Sequence, residues 1–100
     1  MTSLHQDPST CVVLVCDDVA DVGLDFLREA GYDVRNRAGL SRSALFDEVA
    51  DADVLMVRSR TRVDAAVLSA SRRLSLVARA GFPLDTIDVD EATRRGIAVM

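Results

Sequence analysis

The stretch Cys11-Val12-Val13-Leu14-Val15 decides how this 100-residue chain folds. Five consecutive apolar residues without alternation are typical of a central strand in a parallel sheet, because both faces of such a strand are covered. Asp17 and Asp18 end the apolar run, and a helical spacing of apolar residues follows at 21–30. A buried strand that leads directly into a helix predicts a β-α-β unit, and therefore a parallel sheet with right-handed crossovers.

The same alternation of strand and helix continues along the rest of the sequence. Gly31 stands where a helix end favours a positive φ, and Ser41, Asp64 and Asp88 stand where the following helices need caps. The predicted strands cover about residues 11–15, 32–35, 54–57, 76–78 and 97–100, and the predicted helices about 21–30, 42–50, 65–70 and 89–96. We therefore predict an α/β fold, a flavodoxin-like doubly wound parallel sheet with strand order 2-1-3-4-5, incomplete at its carboxyl end.

The composition indicates a folded domain and excludes several classes of function. Hydrophobic residues make up 49% of the chain and charged residues 28%, and the net charge is −4. An acidic chain with 4% aromatic residues suits neither nucleic acid nor an anionic membrane surface. No apolar run approaches the roughly 20 residues that span a bilayer. We expect residues 1–10 to form a flexible polar tail without a secretory signal, residues 11–100 to form one domain, and the protein to be cytoplasmic.

Neither the cysteines nor the histidine indicate a special site. Cys11 and Cys16 lie in one predicted strand, on opposite faces and about 16 Å apart. A disulfide needs Cα atoms within about 7 Å, so two reduced cysteines are expected. His5, the only histidine, lies in the polar tail, and no metal site is predicted.

Charged side chains follow the predicted strands, at the edge where open α/β sheets bind ligands. Asp17 and Asp18 follow the first strand and either bind a divalent cation, as in the receiver domains of signalling pathways, or form a solvated turn. A receiver domain also needs an acceptor aspartate after its third strand, where this chain has Val57 and Arg58. We therefore expect the solvated turn.

Arginines follow the next two strands. Arg58-Ser59-Arg60-Thr61-Arg62 precedes the helix capped by Asp64, and Arg79 follows the fourth strand. Guanidinium groups hold carboxylate or phosphate oxygens in a bidentate manner, and a helix start adds free N–H donors. The pattern indicates either a site for a small anion or a solvated basic loop that pairs with nearby acids.

Several of these stretches, in this order, resemble the D-2-hydroxyacid dehydrogenase family, and in particular its branch that acts on 3-phosphoglycerate. The resemblance covers residues 11–100 and depends on the combination of motifs, since each alone is weak. The matching stretches are G-L at 23–24, E-A-G-Y-D-V at 29–34, G-L-S at 39–41, V-R-S-R-T-R-V at 57–63, R-A-G at 79–81, I-D-V at 87–89 and E-A-T-R-R-G-I at 91–97.

The resemblance implies a substrate-binding domain of an enzyme that oxidises 3-phosphoglycerate with NAD, on the route to L-serine. It implies that Arg58, Ser59 and Arg79 bind the anionic substrate, together with Gly81 and Leu84 of the following loop. Phe82 takes a position that in relatives touches the cofactor. Relatives carry their catalytic arginine, glutamate and histidine, and their G-x-G-x-x-G turn, farther along, so we assign no catalytic residue here.

These expectations leave three hypotheses. In the first, the chain is a truncated substrate domain, inactive alone and unable to bind NAD. In the second, it is a non-catalytic anion-binding or regulatory module that self-associates or pairs with an intact relative. In the third, it is a receiver-like signalling domain. The loop at Phe82-Pro83 departs from the family pattern, because proline has no N–H to offer a carboxylate.

Overall fold

The computed structural model of the chain describes residues 10–80 and 86–100. In these ranges five strands alternate with four helices, and all neighbouring strands are parallel, in the order β2-β1-β3-β4-β5. This confirms the predicted α/β fold and strand order. The elements are β1 (Val12–Val15), α1 (Asp21–Glu29), β2 (Asp33–Asn36), α2 (Arg42–Val49), β3 (Val54–Val57), α3 (Ala65–Ala70), β4 (Leu76–Arg79), α4 (Val89–Arg94) and β5 (Ala98–Val99).

Side chains cap three of the helices at the predicted positions. The Ser41 hydroxyl accepts a hydrogen bond from the Ala44 N–H at 3.1 Å, and Asp64 accepts one from the Val67 N–H at 3.1 Å. Asp88 does the same for the Glu91 N–H at 3.0 Å. Each cap satisfies a backbone donor that has no partner inside its helix.

Asp88 and Glu91 have the D-x-x-E spacing of a capping box at the start of α4, but only one of its two hydrogen bonds forms. Glu91 should also accept from the Asp88 N–H, but that N–H donates to the Val63 carbonyl at 2.8 Å. The Glu91 carboxylate instead pairs with Arg94 and with Arg95, the latter at 2.6 Å. Two guanidinium groups are stronger partners than a single amide.

The sheet separates two hydrophobic layers. On one side α2, α3 and α4 pack on the sheet through residues such as Leu45, Val67 and Val77. On the other side α1 packs through Leu24 against Val13 and Val15. All four residues of β1 are buried, as expected for a central strand covered on both faces.

The helical spacing of Ala20, Leu24, Leu27 and Ala30 predicts a wider buried face for α1 than the structure shows. Leu24 is buried and Leu27 is half-buried, but Ala20 and Ala30 are exposed. These two alanines are the caps of α1. The helix therefore contacts the sheet along its middle, and its ends lie in solvent.

A buried carboxylate also ties the amino ends of the strands together. Asp53, 6% exposed, accepts from the Val12 N–H at 2.8 Å and from both Nε and Nη2 of Arg73 at 3.1 and 2.8 Å. Arg73 also donates to the Thr10 carbonyl at 2.7 Å. Cys11 and Cys16 are both free, as expected. The helices in the described ranges are too short or too polar to cross a membrane.

We expect Leu55→Ala to lower the free energy of unfolding by about 2–5 kcal/mol, because it removes a fully buried side chain beneath the α2–α4 layer. Phe26→Ala is the control. It removes a larger side chain that is 72% exposed, and we expect a change within about 0.5 kcal/mol. Urea unfolding of both variants measures this, and equal losses would contradict the assigned core.

Candidate functional site

Asp17 anchors the loop that carries the predicted anion site. It lies after β1 and is 5% exposed. Its Oδ2 accepts from the backbone N–H groups of Arg58 at 2.7 Å and Thr61 at 3.1 Å, and its Oδ1 accepts from the Thr61 hydroxyl at 2.7 Å. The expected solvated turn is therefore wrong for Asp17, because three donors from the β3–α3 loop replace water around its carboxylate. It is right for Asp18, which is exposed.

These contacts determine the protonation of Asp17. Burial raises the pKa of Asp17, but the hydroxyl of Thr61, the N–H groups of Arg58 and Thr61, and the charge of Arg60 together hold it below its ordinary value. The carboxylate is thus ionised, and both of its oxygens are already bonded. Within residues 10–80 and 86–100, no group of three or more histidine, cysteine or acidic side chains could hold a metal ion.

Cys16 lies beside Asp17 and is equally unsuited to react. Burial, together with the charges of Asp17 and Glu48, raises the pKa of the Cys16 thiol to about 12. The thiolate is the nucleophilic form of cysteine, and it is scarce at neutral pH when the pKa is this high. Cys16 is a core residue.

The loop sends its arginines to two different sides of the sheet. Arg58 lies on the α1 side, where its Nη1 donates to the Asp18 carbonyl at 3.3 Å. There it lines a cleft of about 410 Å³ together with Asp18, Val19, Ala20 and Ala80, which we call the Arg58 cleft. Apart from Arg58 and Asp18, the side chains of this cleft are small and apolar.

Arg60 and Arg62 lie on the α2 side of the same loop. With Gly39, Ser41 and Arg42 they line a cavity of about 190 Å³, which we call the Arg60 cavity. Gly39 has φ +83°, a conformation that favours glycine, and a Cβ placed on it would lie 3.9 Å from Nη1 of Arg60. The sequence pattern suggested one cluster of three arginines, whereas the structure places them in two groups.

Arg79 lies next to the loop at the end of the neighbouring strand. It stands in register with Val57, and its backbone N–H donates to the Met100 carbonyl at 2.8 Å. Its Nε and Nη1 are buried. Because strand side chains alternate, Arg79 leaves β4 on the same face as Val77, which is the face opposite Arg58.

Of the remaining predicted site residues, one lies in the described part of the chain and the others lie outside it. Ser59 is exposed in the loop between the two arginine groups. Gly81, Phe82 and Leu84, with the departure at Pro83, lie outside the described residues. Sequence reasoning missed Ser41 and Arg42 as neighbours of Arg60. The strand order could have indicated them, since β2 and β3 flank β1 and bring both following loops to one place.

Comparison with known proteins shows which proteins this chain is similar to. Residues 13–100 match the family model for the D-isomer specific 2-hydroxyacid dehydrogenase catalytic domain. The chain is similar to D-3-phosphoglycerate dehydrogenase of Mycobacterium leprae, with 46% identity over 89% of this chain and 17% of that protein. The chain thus spans about 17% of the length of this curated relative.

Solved structures agree on the fold. The TT0316 protein from Thermus thermophilus superposes with a TM-score of 0.81 and 32% identity, over 88% of this chain and 29% of that one. The NAD⁺-bound 3-phosphoglycerate dehydrogenase of Entamoeba histolytica gives a TM-score of 0.81 over 91% of this chain and 32% of that one. At 23% identity, this second similarity supports the fold alone.

We expect Asp17→Asn to lower the free energy of unfolding at pH 7 by on the order of 1.5–3 kcal/mol, because it removes a charged acceptor of three hydrogen bonds. The pKa of Asp17 is lower in the folded than in the unfolded chain. Its contribution is therefore full above the ordinary aspartate range near 3.9 and is lost as the pH falls through the folded pKa.

The deficit of Asp17→Asn relative to the native chain should thus shrink below about pH 4. Urea unfolding between pH 7 and pH 3 measures it. Asp18→Asn, at the exposed neighbouring carboxylate, should cost little at every pH. A deficit for Asp17→Asn that stays constant with pH would show that its charge does not hold the loop.

Proposed function

The chain belongs to the D-isomer specific 2-hydroxyacid dehydrogenase family, and from this premise we propose that it is a substrate-binding domain for 3-phosphoglycerate. The proposed reaction is oxidation of the 2-hydroxyl group, which leads toward L-serine. In this proposal the 100 residues bind and orient the substrate anion, and the chain alone has no dehydrogenase activity.

The observation that carries the proposal is the position of Arg58. The Asp17 contacts fix its backbone at the carboxyl edge of β3, and its guanidinium lines the Arg58 cleft on the α1 side. In open α/β sheets, ligands bind outside the carboxyl ends of the strands, at the point where strand order reverses. Here that point lies between β1 and β3, where Asp17 and Arg58 meet.

The other proposed contacts support Arg58 in different ways. The Ser59 hydroxyl is exposed beside it and is available to donate to a substrate oxygen. Arg79 is the last residue of the neighbouring strand β4 and adds positive charge to the same edge, although its side chain begins on the other face. Gly81 and Leu84 remain proposals that rest on family position.

The described residues do not fit a dinucleotide. Such a cofactor binds where a strand turns into a helix through a glycine-rich loop, whose glycines allow the pyrophosphate to approach the backbone. Here β1 leads into α1 through Cys16, Asp17, Asp18, Val19 and Ala20, with no glycine and with an ionised carboxylate. We propose that NAD serves this family through a part not represented in these 100 residues.

The same misfit favours a second candidate, an anion-binding or regulatory module that does not catalyse. Such a module would keep ligand binding without a cofactor and would act on an intact relative or a second copy. Val22 and Phe26 on α1 are 78% and 72% exposed, which is compatible with association. Self-association stays a prediction.

We expect Arg58→Ala to weaken 3-phosphoglycerate binding by about ten- to a hundredfold, because it removes a charge-assisted contact worth roughly 1.5–3 kcal/mol. The loop should persist, since Asp17 bonds the backbone of residue 58 rather than its side chain. Arg35→Ala is the control, on the edge strand β2 and paired with Asp33. Calorimetric titration measures both, and equal losses in the two variants would rule out a specific role for Arg58.

We also expect no NAD binding in the micromolar range by the 100-residue chain, because its strand-to-helix turn after β1 lacks the glycines that the pyrophosphate requires. Titration with NAD, with and without 3-phosphoglycerate, measures this. A micromolar dissociation constant for NAD would contradict the conclusion that the turn after β1 cannot bind a dinucleotide. It would also contradict the assignment to a substrate-binding domain.

A further inference from the structure

The helices cover the two faces of the sheet unequally. Within residues 10–80 and 86–100, α2, α3 and α4 pack on one face, whereas α1 alone packs on the other, where it contacts β1 and β2. Burial follows this difference. All four residues of β1 are buried, but in β3 burial alternates, and the residues on the α1 side are only half-buried. The α1 side of β4 and β5 is likewise half-buried or exposed.

The less covered part of this face is a continuous apolar surface, which we call the open half-face. The strand register places its side chains in two neighbouring rows, Val54, Leu76 and Ala98 in one, and Met56, Ala78 and Met100 in the other. All six side chains are apolar. A strand whose residues are apolar without alternation, such as β3, is typical of strands that are covered on both faces. The sequence therefore suits a covering layer on the open half-face.

Helix α1 carries apolar side chains on two opposite sides. Leu24 packs on the sheet and is fully buried, whereas Val22 and Phe26 are 78% and 72% exposed. With about 100° of rotation per residue, Val22 and Phe26 each lie about 160° from Leu24 around the helix axis. The side of a surface helix opposite its core is normally polar. Apolar side chains on both sides are expected of a helix that packs between two layers.

The open half-face and the outer side of α1 are complementary between two copies of the chain. Helix α1 lies at the β2–β1 side of the sheet, and the open half-face lies at the β4–β5 side. A two-fold axis parallel to the strands, between two facing sheets, exchanges left and right, so that each α1 lies over the open half-face of the other copy. The two α1 helices then form one layer between two sheets.

The dimensions of the two surfaces agree. Three strands at about 4.8 Å spacing make the open half-face roughly 10–14 Å wide, and a helix with its side chains is about 10–12 Å across. The nine residues of α1 extend about 13 Å, close to the length of the four-residue strands β3 and β4. The side chains that meet are uncharged, so the net charge of −4 on each copy opposes the contact only at longer range.

We propose that the chain forms a two-fold symmetric dimer in which Val22 and Phe26 of each copy pack on the open half-face of the other. This goes beyond the proposed function, which concerns a ligand at the carboxyl edge of the sheet, and it gives self-association a defined surface and geometry.

The dimer is expected to be weak. Each copy contributes the six side chains of the open half-face and two of α1, whereas a standard interface uses about 20–30 residues per side, so we expect a dissociation constant on the order of 100 µM. At the low micromolar concentrations used for urea unfolding the chain is then monomeric. Phe26→Ala therefore stays a neutral control for stability.

Sedimentation equilibrium of the 100-residue chain, at concentrations from about 10 µM to 1 mM, measures the association. Phe26→Glu and Ala98→Glu should each weaken it by about tenfold or more, because each places a charge in an apolar contact. Thr93→Glu is the control, since it adds the same charge at an exposed position of α4, on the other side of the sheet, and should change the association by less than about twofold. Raising the salt concentration should strengthen the dimer, because salt screens the repulsion between two acidic copies.

A second measurement tests the geometry without substitutions. In a mixture of ¹³C-labelled and unlabelled chains, isotope-filtered NOEs report only contacts between copies. We expect them from the ring of Phe26 to the methyl groups of Met56 or Met100, and not between the two Phe26 rings. The three substituted side chains are exposed, so the variants should also keep the amide spectrum of the folded chain.

The proposal is overturned if the native chain stays monomeric up to about 1 mM, or if its dimer dissociates as the salt concentration rises. It is also overturned if Phe26→Glu disrupts the dimer and Ala98→Glu does not, since two α1 helices would then form the contact by themselves. NOEs that join β5 of one copy to β5 of the other would assign the contact to the sheet edge and overturn it as well.

Discussion

The carboxylate of Asp17, buried at the carboxyl end of β1, is the contact on which the rest of the site depends. A buried carboxylate is costly unless its oxygens are bonded, and Asp17 obtains all three of its bonds from the β3–α3 loop. The loop is thereby held against the neighbouring strand rather than extended into solvent. Asp53 has the same role at the opposite edge, where it joins β1 to Arg73. These two are the buried charged residues of the described chain, and they hold opposite ends of β1.

Holding the loop by its backbone determines where its side chains go. Asp17 accepts from the N–H groups of residues 58 and 61, so the segment between them is short and its geometry is restricted. Arg58 is directed to the α1 side and Arg60 to the α2 side. Had the loop been free, its guanidinium groups would have repelled one another and sampled many positions. One acidic side chain therefore supports two cationic openings in a chain whose net charge is −4.

The sequence predicted well those features of the fold that depend on local sequence patterns. Continuous burial of β1, the caps at Ser41, Asp64 and Asp88, and the strand order all follow from periodicity, cap chemistry and the right-handed crossover. It was a poor guide to contacts between loops. Asp17 and Thr61 are 44 positions apart, and nothing near either residue shows that they meet. The separation of Arg58 from Arg60 was missed for the same reason, since it arises from how the loop is held and not from the spacing of its arginines.

The position of Asp17 also disfavours a dinucleotide at the switch point of this sheet, where we propose that a small anion binds. In the order 2-1-3-4-5 the crevice opens between β1 and β3, and a pyrophosphate placed there needs the N–H groups at the start of the first helix. Here an ionised carboxylate lies at the end of β1 and would repel it. The positive charge instead comes from the loop after β3, one strand away. The anion proposed at this edge would therefore be held by side chains, which can be specific for one small ligand, rather than by the backbone of a glycine-rich turn.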